Sequence, residues 1–168
     1  MNSRSMTSPA GKSPWPPRTE EQLQKAADDG LLEEGQRLDI KRELKPGLAG
    51  NKEIAKDIAA FSLNGGIIIV GVDEDTSPPS LHPVELAGLA ERIEQVALSR
   101  VDEPVIISTI RIESKSAPGH GYLVVEVPVS PRSPHMAENR YYGRADTTNR
   151  KLPDAEVFRL HEIGRAHV

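Results

Sequence analysis

Ile58-Ala59-Ala60-Phe61-Ser62-Leu63-Asn64-Gly65-Gly66-Ile67-Ile68-Ile69-Val70-Gly71-Val72-Asp73-Glu74-Asp75 decides the fold. Upstream, Ile54, Ile58 and Phe61 recur at helical spacing with Ala55 and Ala59 beside them. Asn64, Gly65 and Gly66 end that helix, because glycine accepts the left-handed backbone of a helix C-terminus. Ile67 to Val72 is an unbroken apolar run, which predicts a strand covered on both faces. It leads to Asp73, Glu74 and Asp75 at the end where open α/β sheets keep their sites. Acids that only solubilise a strand terminus read the same way.

Outward from that stretch, 1–18 read as a disordered tail rich in Ser, Pro and Gly, ending Pro14-Trp15-Pro16-Pro17-Arg18. Thr19 caps a short helix through Leu23 and Ala27 that Gly30 closes. In Leu38-Asp39-Ile40-Lys41 the alternation sends Leu38 and Ile40 to one face of a strand and Asp39 and Lys41 to the other. Asn51 is the expected cap of a helix over Lys52 to Leu63. A second main helix is predicted from about Val84 to Arg100, with Leu86, Leu89, Ile93 and Val96 on its buried stripe. Ile106, Ile110 and Ile112 then share a strand face. The run from Tyr122 to Val129 forms its antiparallel partner after a turn at Pro118 to Gly121. Arg140 to Arg144 predicts a short last strand, and a helix starts near Pro153. The fold class is therefore α/β: one mixed β-sheet packed with two main helices in a single domain.

Composition narrows the function. Of 168 residues, 4% are aromatic, too few for a base-stacking platform, and the net charge of −4 excludes a whole-surface field for nucleic acid but not a local basic patch. With no cysteine there is neither a disulfide framework nor a zinc–thiolate site. No stretch has the length of a membrane span or the layout of a signal peptide, so a cytoplasmic protein without membrane contact is expected.

Three acids, Glu34, Asp39 and Asp73, stand where carboxylates can converge on a divalent cation. Lys41, on the face of Asp39, is placed to meet a phosphate. An unbroken strand would point Glu34 and Asp39 to opposite faces, so convergence needs Glu34 before the strand or a bulge at Gly35. A solvated face of mixed charge is the competing reading. Late in the chain Arg132, Arg140, Arg144, Arg150 and Lys151 outnumber Glu138 and Asp146, with Tyr141 and Tyr142 interleaved; this is either a phosphate-binding surface or a charged edge strand. His135 and Met136 read as loop packing.

Glu34-x-x-x-Leu38-Asp39-Ile40-Lys41, the helix ending Ala59-Ala60-Phe61-Ser62-Leu63-Asn64-Gly65-Gly66, the strand Ile67 to Asp73, and the later Pro104-Val105, Val124 to Pro128, Ser133-Pro134 and Tyr141-Tyr142-Gly143-Arg144 together resemble the bacterial Schlafen AlbA_2 domain, formerly labelled a divergent AAA-type ATPase module. The resemblance covers Glu33 to Leu152. It implies a nucleic-acid-binding domain, described in the family as DNA-binding and often joined to a C-terminal winged-helix or helicase-like part. Together with the charge pattern this gives the expectation of a domain, part of a transcriptional regulator, that contacts DNA or RNA through Lys41, Arg132, Arg140, Tyr142, Arg144, Arg150 and Lys151. The alternative it implies is a metal-dependent endoribonuclease with Glu34, Asp39 and Asp73 holding Mg2+ or Mn2+ and Lys41 as a further catalytic residue. Asp39 stands where Glu is common, one methylene shorter, and Leu63 where a small residue is common. A third reading is a dimerisation module, a homodimer pairing through exposed edges and serving a missing C-terminal domain. ATP binding is not expected, since Gly65-Gly66 opens a strand and no Gly-x-x-x-x-Gly-Lys-Ser/Thr is present.

The resulting division is 1–18 tail, 19–152 domain with its core at 33–152, and 153–161 as the start of a truncated C-terminal region. The end, 162–168, resembles the in-frame translation of a sequencing adapter and is set aside.

Overall fold

The computed structural model describes residues 13–166, with side chains to 164, so the first twelve residues of the expected tail and the last two of 162–168 lie outside it. Four helices are present among the described residues: α1 (Glu20–Asp28), α2 (Gly47–Phe61), α3 (Leu89–Ser99) and α4 (Asp154–Ala166). The strands are β1 (Leu38–Lys41), β2 (Gly66–Val70), β3 (Val72–Asp73), β4 (Ser80–Leu81), β5 (Val84–Glu85), β6 (Val101–Asp102), β7 (Ser108–Glu113), β8 (His120–Val127), β9 (Met136–Ala137), β10 (Arg140–Ala145) and β11 (Thr148–Lys151).

The main sheet runs β1-β2-β8-β7, with β5 extending along β8 beyond β2. Only β1 and β2 are parallel, Leu38 beside Ile67 and Lys41 beside Val70, with α2 as the crossover between them. Both faces of β2 are covered, as its apolar run predicts. Ile68 and Val70 join α2, α3, Leu123 and Val125 in one core. Ile69 meets Leu23, Ala26, Ile40, Tyr122 and Val124 under α1 in a second. A smaller sheet, β11-β10-β9-β6, lies against α2.

Several boundaries differ from expectation for physical reasons. The apolar run does not continue as one strand to Asp73. Gly71 takes φ +112, a backbone that L-residues rarely adopt, and Val72–Asp73 leaves to pair with Ser80–Leu81. The helix expected from Lys52 begins at Gly47 instead, and Asn51 is not its cap: its Oδ1 accepts a 2.8 Å bond from Arg92 Nε. The second main helix starts at Leu89, because Gly88 sits at φ +74 and Val84–Glu85 is drawn onto β8. Ile106 lies outside β7 and is 82% exposed. The expected short last strand is β10, and it is followed by a further strand, β11, in a hairpin. Its turn is Asp146-Thr147, without glycine, and Thr148-Asn149-Arg150-Lys151 shows no apolar alternation that would predict it.

At the central turn, a β-carbon on Gly66 would collide with the Phe61 ring, so glycine there lets α2 close onto the start of β2. Since Ile68 is fully buried and Val129 is 62% exposed, Ile68→Ala should lose about 2–5 kcal/mol of unfolding free energy in a urea titration. Val129→Ala should stay within about 0.5 kcal/mol.

Candidate functional site

Around Lys41 the sequence builds a buried charge network. Alternation along β1 turns Leu38 and Ile40 to the α1 side and Asp39 and Lys41 to the α2 side, as expected. That second face is not solvated: Asp39 is 7% and Asp57 3% exposed. Lys41 Nζ lies 2.8 Å from Asp57 Oδ2, 2.8 Å from Glu53 Oε2 and 3.1 Å from Asp39 Oδ2. Its directional hydrogen bond goes to Glu53; Asp39 Oδ2 and Asp57 Oδ2 meet the ammonium at ion-pair distance without hydrogen-bond alignment. Burial alone would lower the Lys41 pKa, but the charges of Asp57 and Asp39 outweigh it and hold the ammonium above its ordinary value. Burial raises Asp57, against the pull of Lys41.

The hairpin closes the network from above. Arg144 Nη2 donates to Asp39 Oδ1 at 3.3 Å and to the Leu38 carbonyl, its Nε donates to the Gly35 carbonyl, and its guanidinium lies 4.7 Å from the centre of the Phe61 ring. Asn149, opposite Arg144 in the hairpin, donates to Asp57 Oδ1 at 2.8 Å.

Glu34 reaches this network by the route its sequence position requires. It lies before β1, and the Gly35 N–H donates to the Leu38 carbonyl, folding the chain back so that Glu34 Oε2 accepts the Ile40 N–H at 2.9 Å. Burial, partly offset by that bond and reinforced by the nearby Asp39 charge, pushes Glu34 up to about 7.

Asp73 does not join. Past the Gly71 break it sits in the β3–β4 ribbon, and its Oδ1 accepts the Asp75 N–H. Its neighbour Glu74 adds, after Asp39, to the charge that raises Glu34, and burial followed by the Asp39 charge raises Glu74 in turn. Among the described residues no three His, Cys, Asp or Glu side chains are placed to hold one metal ion. The expected trio of Glu34, Asp39 and Asp73 therefore does not fit Mg2+ or Mn2+ in this arrangement: Asp39 is engaged by Lys41 and Arg144, and Asp73 points into its own turn.

The expected nucleic-acid contacts divide. Lys41, Arg144 and Tyr142 are interior groups, with Tyr142 6% exposed in the α2-side core. Arg132 pairs with Glu103 at 2.7 Å and Arg150 with Glu156 at 2.7 Å. Arg140 and Lys151 are exposed with no ion pair among the described residues. Beside them, Lys56 Nζ stands 5.7 Å from the centre of the Tyr142 ring. His135 packs in its loop as expected, one ring nitrogen on the Glu103 carbonyl and the other on Ser130 Oγ.

Sequence reasoning missed Glu53, Asp57, Asn149 and Lys56. Asp57 left a signal, an acid between Ala55 and Ile58 on an apolar helix face, which implies a buried cation. Asn149 left none.

The chain belongs to the Schlafen, AlbA_2 family, which matches residues 34–153. Membership brings a nucleic-acid-related role in general terms. Among solved structures it is similar to the DIP2311 protein from Corynebacterium diphtheriae, with TM-score 0.52, 19% identity and 76% of this chain aligned. The match spans 24% of that protein, so the likeness speaks for the fold alone. No curated protein matches the sequence significantly. No helix among the described residues is long and apolar enough to cross a membrane.

Removing the ammonium should leave buried Asp57 without its cation and Asp39 with Arg144 alone. Lys41→Ala should cost about 3–5 kcal/mol in chemical denaturation. For Glu34 the folded pKa of about 7 lies above the ordinary value of 4.5. The folded chain then binds the proton more tightly, and stability falls as pH rises through that window and levels off above it. Glu34→Gln should flatten this slope and raise stability at pH ~8 on the order of 1 kcal/mol, allowing for solvent screening. Thermal melts of both proteins across that range check it.

Proposed function

We propose that this domain binds nucleic acid by its phosphate backbone, along the β10–β11 hairpin and the facing side of α2. The observation that carries the reading is the grouping of Arg140, Lys151 and Lys56, cations without a carboxylate partner among the described residues, around Tyr142. Lys151 is the cross-strand neighbour of Tyr142, Arg140 lies two residues before it on the same strand face, and Lys56 stands over its ring. Such a cluster gives an acidic chain a local positive surface, and phosphate contacts of this kind position a strand without reading its sequence.

Arg132 and Arg150 contribute less on this reading, because each must first leave a carboxylate. Lys41 and Arg144 act indirectly: they hold the hairpin in place and touch no phosphate. Family membership supports the nucleic-acid class, and a role in a transcriptional regulator is consistent with it. The metal-dependent nuclease reading gains no support from a trio in which Asp73 stands apart from Glu34 and Asp39.

Fluorescence anisotropy with labelled single-stranded and duplex DNA and RNA tests the proposal. Binding should weaken steeply between about 50 and 200 mM salt. Arg140→Ala with Lys151→Ala should lower affinity for every sequence and reduce the salt slope by about one for each phosphate no longer neutralised. No binding at low salt, or a double variant that binds as wild type, sinks it.

A further inference from the structure

We propose that the chain forms a two-fold homodimer by antiparallel pairing of β7 with β7 of a second copy, in the register that sets Arg111 opposite Glu113.

β7 is an open edge. It pairs with β8 on one side, and no strand among the described residues pairs with the other. The Ser114 N–H donates to the His120 carbonyl, and Ser114 continues the β7–β8 register, so Ser114 and His120 form a hydrogen-bonded pair. Such pairs alternate along an antiparallel ladder; Ile112 and Ile110 therefore exchange bonds with β8, while Thr109, Arg111 and Glu113 direct their N–H and C=O groups outward. These three form the docking ladder.

A second copy is the occupant because the edge is complementary to itself. Residues with outward backbone groups must face one another, which leaves few symmetric registers. Centring on Arg111 sets arginine against arginine, and centring on Glu113 sets glutamate against glutamate. Centring on Ile112 sets Arg111 of each copy opposite Glu113 of the other and makes two cross-strand ion pairs. Both side chains are exposed, and at present Arg111 Nε pairs with its own Glu113 Oε2 at 3.2 Å, so the exchange needs no buried group to move. Of the devices that blunt a sheet edge, β7 lacks proline, and its two charges, Arg111 and Glu113, are of opposite sign, so in this register they attract a second copy rather than repel it. At the α3 side of the same edge, Leu98, Val105, Ile106 and Ile107 line a mostly apolar groove of about 330 Å³, and Thr109 touches Glu94 there, so apolar surface flanks the ladder.

Sedimentation equilibrium of the full chain, from micromolar to several hundred micromolar, should approach twice the 18.3 kDa chain mass. Arg111→Glu and Glu113→Arg should each weaken self-association about tenfold or more by opposing like charges, and the double swap should restore it. Arg111→Pro, which removes the guanidinium and, from the backbone, only an outward N–H, should abolish it while circular dichroism keeps the wild-type spectrum. A chain that stays monomeric throughout overturns the proposal, as does a dimer indifferent to Arg111→Glu and Arg111→Pro. A double swap that fails to recover the dimer overturns the register.

Discussion

Lys41, enclosed by Asp39, Glu53 and Asp57, ties three parts of the chain that share no sequence proximity. It sits at the end of β1, Glu53 and Asp57 come from α2, and the oxygens left over on Asp39 and Asp57 receive Arg144 and Asn149 from the β10–β11 hairpin. Burying these charges is costly, and exchanging a buried network of this kind for apolar residues of similar volume is often neutral or stabilising. What the network supplies is a single arrangement. Its fixed partners join the small sheet to α2 and β1 beside the apolar contacts that Ala137 and Tyr142 already make there. The pKa shifts follow from this confinement: the ammonium is held above its usual value by the acids that burial discourages.

Much of the fold was legible because local chemistry and tertiary packing agree. Thr19 caps α1, Oγ1 accepting the Gln22 N–H at 3.1 Å, as its residue type predicts, and the alternation of Leu38 to Lys41 points each side chain where the structure has it. The antiparallel pair β7–β8 follows its turn signal. Reading failed where long-range contacts override local preference. Asn51 looks like a cap but serves Arg92, forty-one residues on, and Val84–Glu85 joins a sheet edge although its neighbours suit a helix. The polar β11 has no periodicity of its own and exists because β10 offers it a partner.

The candidate site was half legible for a related reason. Residue type marks a carboxylate but not its surroundings. Glu34 and Asp39 do come together, because Gly35 folds the chain back as an unbroken strand could not. Asp73 is lost to a single backbone angle at Gly71. Arginines counted together by sequence window are separated by strand alternation: in β10 Arg144 points inward with Tyr142, while across the ladder Arg150 shares the opposite face with Gly143.

Sorting charges into interior and surface also relates the two proposed surfaces. In the order β1-β2-β8-β7, the hairpin is fastened beside β1 through Arg144, and β7 is the opposite edge. Pairing through β7 would give one continuous sheet of eight principal strands with a hairpin at each end, leaving both basic clusters uncovered. At about 4.8 Å between strands, the two β1 strands would stand roughly 34 Å apart, with their directions turned relative to one another by the accumulated right-handed twist. That distance is close to one turn of duplex. A dimer of this geometry would favour duplex over single strands even if each hairpin alone were indifferent, because only a stiff duplex holds phosphates at that separation.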